Sequence, residues 1–158
     1  MSTDSCPSPA PISLRELRAE EIPGIYPLIS VLNPGLSEAV FAARLQEMLP
    51  KGYQVIGAFD GGRLIGLSGY WINMKFWCGR QLDIDNVVIL PEYRSRGVGQ
   101  QLMEWLEAKA LEVKADLIVL DTYSSAHLAH RFYFRNGFTI TGYHMTKVPG
   151  SGLPYGMK

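Results

Sequence analysis

The chain has 158 residues, a formal net charge of zero and 47% apolar residues, enough for one folded domain with a full core. The balanced charge supplies neither a global basic field for nucleic acid nor an acidic excess for a polycation, which argues against both as partners. Its two cysteines, Cys6 and Cys78, are far apart and lack C-x-x-C spacing, so no disulfide framework or zinc site is indicated and a cytoplasmic setting is expected.

Residues Met1 to Pro11 are rich in Ser and Pro and lack the basic and apolar regions of a secretory leader, so a disordered start is expected. No run approaches the ~18 apolar residues of a membrane span, and no membrane partner is expected. Ile12 to Leu17 alternates as a first strand, and a Pro- and Gly-punctuated helical stretch follows around Ile25 to Leu32. Ser37 is placed to cap a helix over Glu38 to Leu49, with an apolar stripe of Val40, Phe41, Leu45, Met48 and Leu49, ended by Pro50, Lys51 and Gly52. Tyr53 to Phe59 and Arg63 to Trp71 read as a hairpin turning at Asp60, Gly61 and Gly62. A strand over Gln81 to Leu90 is expected after a loop around Phe76 to Gly79.

The next helix runs from Gln100 to about Val113, presenting Leu102, Leu106, Ala110 and Val113 on one face. Leu117 to Leu120 is a short unbroken apolar run that suits a strand covered on both faces, and strand, helix, strand makes a parallel crossover. A last helix over Ala126 to Asn136 stops at Gly137, and Phe138 to Ile140 with Tyr143 to Lys147 reads as a closing hairpin. The expected domain is therefore 12–148, followed by an irregular tail over 149–158.

Between the strand ending Asn86, Val87, Val88, Ile89, Leu90 and the helix beginning at Gln100 stands Arg94, Ser95, Arg96, Gly97, Val98, Gly99. Glycines permit a sharp turn close to a ligand, and the first N–H groups of the new helix lack intrahelical partners and point into it. The helix dipole adds about half a positive charge there, and Arg94 and Arg96 add two full ones. The turn suits a phosphate. A dinucleotide fingerprint would need a third glycine at Leu102, and the Gly-Lys-Ser/Thr of a P-loop is absent from the chain.

With Val88 to Pro91 ahead of it, this block resembles the R/Q-x-x-G-x-G/A turn of the GNAT acetyltransferase superfamily. A second block, Ala129, His130, Arg131, Phe132, Tyr133, Phe134, Arg135, Asn136, Gly137, Phe138, is similar to the superfamily's A-x-x-F/L-Y-x-x-x-G-F segment. One helix and one apolar strand separate the two blocks, in the superfamily's order. The resemblance covers Tyr53 to Lys147. It implies an α+β fold with a mixed, splayed sheet flanked by helices on both faces, and an N-acetyltransferase moving acetyl from acetyl-CoA, without a metal, to a primary amine of a small molecule or peptide. Homodimerisation stays open. The resemblance assigns the pyrophosphate to Arg94, Ser95, Arg96, Gly97, Val98 and Gly99, and the pantetheine amides to the backbone of Val87, Val88 and Ile89. It departs at Ala126, where the superfamily often has a CoA-holding Asn; Ser124, Ser125 and His127 are the side chains at hand to substitute.

Acetyl transfer needs an acceptor amine stripped of its proton and an acid for the departing thiolate. By its place in the second block, Tyr133 is the candidate acid, since a phenol passes a proton without resting charge; the alternative is a packed aromatic. Asp83 and Asp85, two apart on a strand, share a face and are the candidate bases, Asp83 first by its position relative to the glycine turn. Either could instead be structural, Arg80 being a near partner, and some relatives have no dedicated base. His127 and His130 share a helix face, but no further ligand at metal spacing accompanies them. Ser68 lacks the spacing of a hydrolase elbow. Trp71, Trp77 and Tyr123 are candidates to line an acceptor pocket, or core and rim aromatics. Two other classes compete with the enzyme: a GNAT-like acyl-CoA sensor or interaction module without turnover, and a nucleotide-binding domain unrelated to CoA.

Overall fold

The structure, a computed structural model, describes residues 11–150; the expected disordered start and irregular tail lie almost wholly outside the described residues. The chain divides into two compact units, one ending at Leu120 and the other beginning at Asp121.

The first unit runs β1 (Ser13–Glu16), a 3-10 turn at Ile22–Ile25, α1 (Tyr26–Leu32), α2 (Glu38–Met48), β2 (Gln54–Asp60), β3 (Arg63–Lys75), β4 (Gly79–Ile89), α3 (Val98–Glu112) and β5 (Leu117–Leu120). Its sheet has the order β1-β2-β3-β4-β5. The first four strands pair antiparallel and β5 pairs parallel to β4, so the sheet is mixed, as expected. Ser37 caps α2, its side chain accepting from the Val40 N–H. The β2–β3 hairpin turns at Gly61, whose φ of +59° suits glycine.

Side-chain alternation divides the sheet into two faces. Leu67, Gly69 and Trp71 of β3 share one face with their β4 partners Val88, Asp85 and Asp83. There Val55, Leu67 and Val88 join Ile25, Ile29, Phe41 and Leu45 from the α1–α2 segment in one apolar cluster. On the opposite face the Tyr70 ring lies 5.9 Å from Trp105 of α3. Leu102 and Leu106 are fully buried on α3, each burial stabilising by about 1.5–3 kcal/mol. Helices thus cover both faces.

A polar network lies on the α3 side. The Tyr70 hydroxyl donates to the Glu16 carboxylate at 2.8 Å, Gln54 donates to the same oxygen at 2.9 Å, and Lys109 Nζ lies 3.4 Å from the other. It joins β1, β2, β3 and α3. Burial and the Glu16 carboxylate push the Tyr70 phenol above its ordinary range.

The register between β3 and β4 shifts by one residue: Gly69 pairs with Asp85 and Leu67 with Val88, leaving Asn86 and Val87 opposite Ser68 alone. Asn86 absorbs the bulge with φ +52°. Beyond it the sheet opens, because β5 accompanies β4 only over Gln81–Ile84.

Apart from small shifts at the ends of other elements, three points differ from the sequence reading. The expected loop before β4 shrinks to Phe76–Cys78, because Gly79 turns at φ +78° and Asp116 accepts the Arg80 N–H at 2.8 Å. The third helix starts two residues early, at Val98, with Gly97 in the left-handed region as its N-cap. The Leu117–Leu120 strand, expected to be covered on both faces, has Leu117 exposed and the rest half-buried. It is the last strand of the order, so among the described residues only one of its edges is paired.

In the second unit α4 (His127–Arg135) is followed by Asn136 and by Gly137 at φ +83°. The Gly137 N–H bonds the Phe134 carbonyl and the Phe138 N–H bonds the Tyr133 carbonyl, the Schellman pattern that satisfies the last carbonyls. The closing hairpin read over Phe138 to Ile140 and Tyr143 to Lys147 does not form; both segments are irregular. Ile140, Tyr143 and Met145 are exposed, and a two-stranded ribbon that buries no apolar face is marginal in water.

Candidate functional site

The glycine turn is built by backbone conformation. After a 3-10 turn over Pro91–Tyr93, Ser95 takes φ +60° and Gly97 φ +80°. A Cβ on Gly97 would meet no atom within 4 Å, so glycine is needed for its left-handed φ and the space beside it is open. The first α-helical bond is made by the Gln101 N–H to the Gly97 carbonyl at 3.1 Å. No side chain caps the helix, and the N–H groups of Val98, Gly99 and Gln100 precede that first bond, an arrangement that favours an anion.

Arg94 and Arg96 are exposed beside this turn. Arg94 Nε donates to the Ile89 carbonyl at 3.3 Å, and the Arg96 guanidinium lies 5.1 Å from the Tyr93 ring centroid. Tyr93 is itself anchored, donating to Asp60 at 2.7 Å. Arg63, by contrast, is matched by Glu92 at 2.9 Å. Upstream, Val88 and Ile89 pair with Leu67 and Gly66 of β3. On their other side no strand of the described residues pairs with Val87, Val88 and Ile89, which leaves an edge open to an extended, amide-bearing chain. A helix N-terminus with two cations, followed back along the chain by an open strand edge, fits a pyrophosphate carrying a two-amide arm.

On the α1–α2 face of the first unit lies a cavity of about 220 Å³, below the roughly 300 Å³ at which drug-sized sites begin. Ile29, Phe41, Arg44, Tyr53, Asp85 and Asn86 are among its lining. Tyr53 is buried and its ring lies 5.1 Å from Trp71. A Cβ at Gly69 would run into the Tyr53 hydroxyl and ring, so the bare backbone opposite Asp85 lets Tyr53 lie down on the sheet. The Tyr53 hydroxyl accepts from Asn86 Nδ2 at 3.5 Å. Burial, with the Asp85 charge adding to it, holds this phenol well above its ordinary range, hence neutral.

The cavity therefore receives Asp85. Asp83 lies two residues earlier on the same face, between Trp71 and Val119 in the sheet, and is outside the lining. Arg80, the alternative partner considered for these carboxylates, bonds the Val113 carbonyl at 2.7 Å. Of the candidate aromatics, Trp71 reaches the cavity only through Tyr53, while Trp77 and Tyr123 are exposed. Ser68 is buried in the bulge and donates to the Gly69 and Asp85 carbonyls. Sequence reasoning missed Tyr53, Asn86 and Arg44. Only Asn86 carried a signal: an amide residue that tolerates left-handed backbone, at the head of an apolar run.

In the second unit Tyr133 is half-buried, its ring 5.3 Å from Phe132 and 5.7 Å from Phe138. Burial raises its phenol above the ordinary range, and its hydroxyl has no hydrogen-bond partner among the described residues. His130 Nε2 lies 3.0 Å from the Tyr123 carbonyl, with the His127 ring 6.2 Å away and perpendicular. Ser124 and Ser125 form the turn ahead of α4. Among the described residues no group of three or more His, Cys, Asp or Glu is placed to hold a metal ion.

The sequence model of the Acetyltransferase (GNAT) family matches residues 15–138. The chain belongs to the GNAT family. The match begins well before the motif-bearing stretch from Tyr53, taking in the end of β1 and all of α1 and α2, which carry no local motif. The GNAT chain is 29% identical over 143 residues, 85% of its length and 90% of the relative's, to an aminoalkylphosphonate N-acetyltransferase of Salmonella typhimurium. It is 25% identical over 79 residues to a thialysine N-epsilon-acetyltransferase of Mus musculus, covering 48% of this chain and 46% of that one. Its fold matches a solved aminoglycoside N-acetyltransferase in complex with CoA, with a TM-score of 0.79 and 18% identity over 92% of this chain and 99% of that chain. This GNAT protein is an acyl-CoA-dependent N-acetyltransferase. No helix among its described residues is long and apolar enough to cross a membrane.

Proposed function

We propose that the protein transfers acetyl from acetyl-CoA to a primary amine of a small molecule or peptide, by direct attack in a ternary complex. One observation carries this reading: the β4 bulge at Asn86 puts the Asp85 cavity and the unpaired Val87–Ile89 edge on consecutive residues, with the glycine turn immediately downstream. The amine-acetylating activities named for the Salmonella and mouse relatives support an amine acceptor.

Arg94, Ser95, Arg96 and the N–H groups from Gly97 to Gln100 hold the pyrophosphate, and the backbone of Val87, Val88 and Ile89 pairs with the pantetheine amides. Acetyl-CoA supplies an activated thioester carbonyl. Asp85 takes a proton from the acceptor ammonium, and the freed nitrogen attacks that carbonyl; the C–N bond forms as the C–S bond breaks. Tyr133, neutral because burial raises its phenol, gives its proton to the thiolate and regains one as the new amide nitrogen sheds its surplus proton through solvent. Asp83 remains the other candidate base on the same face of β4.

The test is thiol release from acetyl-CoA against a panel of amino acids, polyamines, aminoglycosides and N-terminal peptides. Amine-dependent release with a matching acetylated product is expected. CoA binding without turnover on any amine would make the protein a sensor or interaction module, and thermal protection by ATP or NAD in place of CoA would remove the CoA reading altogether.

A further inference from the structure

The cavity lining contains two charged side chains of opposite sign, Asp85 from β4 and Arg44 from α2, set among apolar residues such as Ile29, Phe41, Leu45 and Met48. In a mostly apolar pocket the few charged groups decide what is recognised. Arg44 has no ion pair or hydrogen bond among the described residues. The carboxylate nearest to it along α2, Glu47, is taken by Lys51 at 3.6 Å. The remaining polar lining groups, Asn33, Asn86 and Tyr53, are neutral, so Arg44 is the one cationic side chain among the residues lining this cavity.

We infer that the acceptor is a bipolar amine: an ammonium placed at Asp85, a short apolar spacer, and an anionic head group, carboxylate, phosphate or phosphonate, taken by Arg44. This rests on the reading of the cavity as the acceptor site. The guanidinium fork matches the paired oxygens of any of these anions, and the small volume restricts the spacer to a few carbons. Arg44 is a specificity-determining residue, apart from the proton-transfer chemistry. Being exposed on a helix surface, it can be changed without disturbing the core.

The experiment compares acetylation of aminopropylphosphonate, γ-aminobutyrate and the neutral n-butylamine by the wild type, Arg44→Gln and Arg44→Lys. In the wild type, at least one of the two anionic amines should exceed butylamine in kcat/KM by about ten- to a hundredfold, the range for hydrogen bonds to a charged group. Arg44→Gln should remove that advantage, chiefly through the acceptor KM, with a far smaller change in kcat/KM for butylamine; Arg44→Lys should restore part of it. The ranking of phosphonate against carboxylate identifies the anion.

Equal wild-type rates on charged and neutral amines, or an equal loss on both in Arg44→Gln, overturn the inference and leave amine transfer standing. Calorimetric titration of both proteins with aminopropylphosphonate and γ-aminobutyrate in the presence of CoA covers the case of no turnover on any amine. Binding lost in Arg44→Gln then keeps the inference and removes the transfer reading, whereas no binding in the wild type removes the inference.

Discussion

The glycine turn and the Asp85 cavity are both reached from β4, yet they are built from different material. The turn is six contiguous residues whose proposed role rests on backbone N–H groups held by two left-handed conformations, at Ser95 and Gly97. The cavity is side chains drawn from α1, α2, Tyr53 and the bulge of β4. Backbone sites should therefore tolerate changes of side chain and fail on changes of φ, while side-chain sites should fail on the loss of a single oxygen or nitrogen. Their energetic scales differ too, since a strained φ costs about 1–3 kcal/mol and a positioned acid or base is worth a hundredfold or more in rate.

The largest effect is expected from one side-chain oxygen. Tyr133→Phe should lower kcat by about a hundred- to ten-thousandfold while CoA affinity, measured by calorimetry, stays put. Equal turnover would return Tyr133 to a packing role between Phe132 and Phe138.

Within the cavity, Asp85→Asn should lower kcat/KM at neutral pH by up to about a hundredfold and recover at high pH, as the free-amine fraction of the acceptor rises without help. Asp83→Asn, on the same face but outside the lining, should lose less. A larger loss in Asp83→Asn would transfer the base to Asp83, and no loss in either would assign deprotonation to solvent.

For the turn, Gly97→Val should weaken CoA binding by about five- to a hundredfold through backbone strain alone, because nothing within 4 Å opposes the added Cβ in the protein itself. Unchanged affinity in the folded variant would break the comparison, by showing that the left-handed φ is dispensable.

The smallest effect lies away from both regions. Arg15 grips Glu21 with two hydrogen bonds of 2.9 and 2.8 Å, and the Arg18 backbone and side chain add to them, lowering the Glu21 pKa to about 2. A depressed carboxyl stabilises the fold above its unfolded value near 4.3, and that contribution is lost as pH falls toward 2. Thermal melts of wild type and Glu21→Gln should differ at pH 6 and converge near pH 2; a constant gap across that range would show that the Glu21 charge is not responsible.

Legibility followed the same division. Asp60–Gly61–Gly62, the Ser37 cap and the Gly137 stop are local backbone problems with local residue solutions, and all three appear where the sequence placed them. The hairpin over Phe138 to Lys147 failed because alternation in a short segment says nothing about whether a partner face exists to bury it. That Asp85 lines the cavity and Asp83 does not was equally invisible, since both point to one face of one strand.

By itself the sequence determined the strand–turn–helix of the glycine turn, the order of elements as far as α4, and the family, because each is carried by neighbours along the chain, where φ preferences and hydrophobic periodicity act. Tertiary structure alone decided that Tyr53 lies over Gly69, that Asn86 bulges beside Asp85, and that Arg44 shares a cavity with them. Those relations join residues up to about forty positions apart, and they arise when register and packing bring distant chain segments onto one face of the sheet.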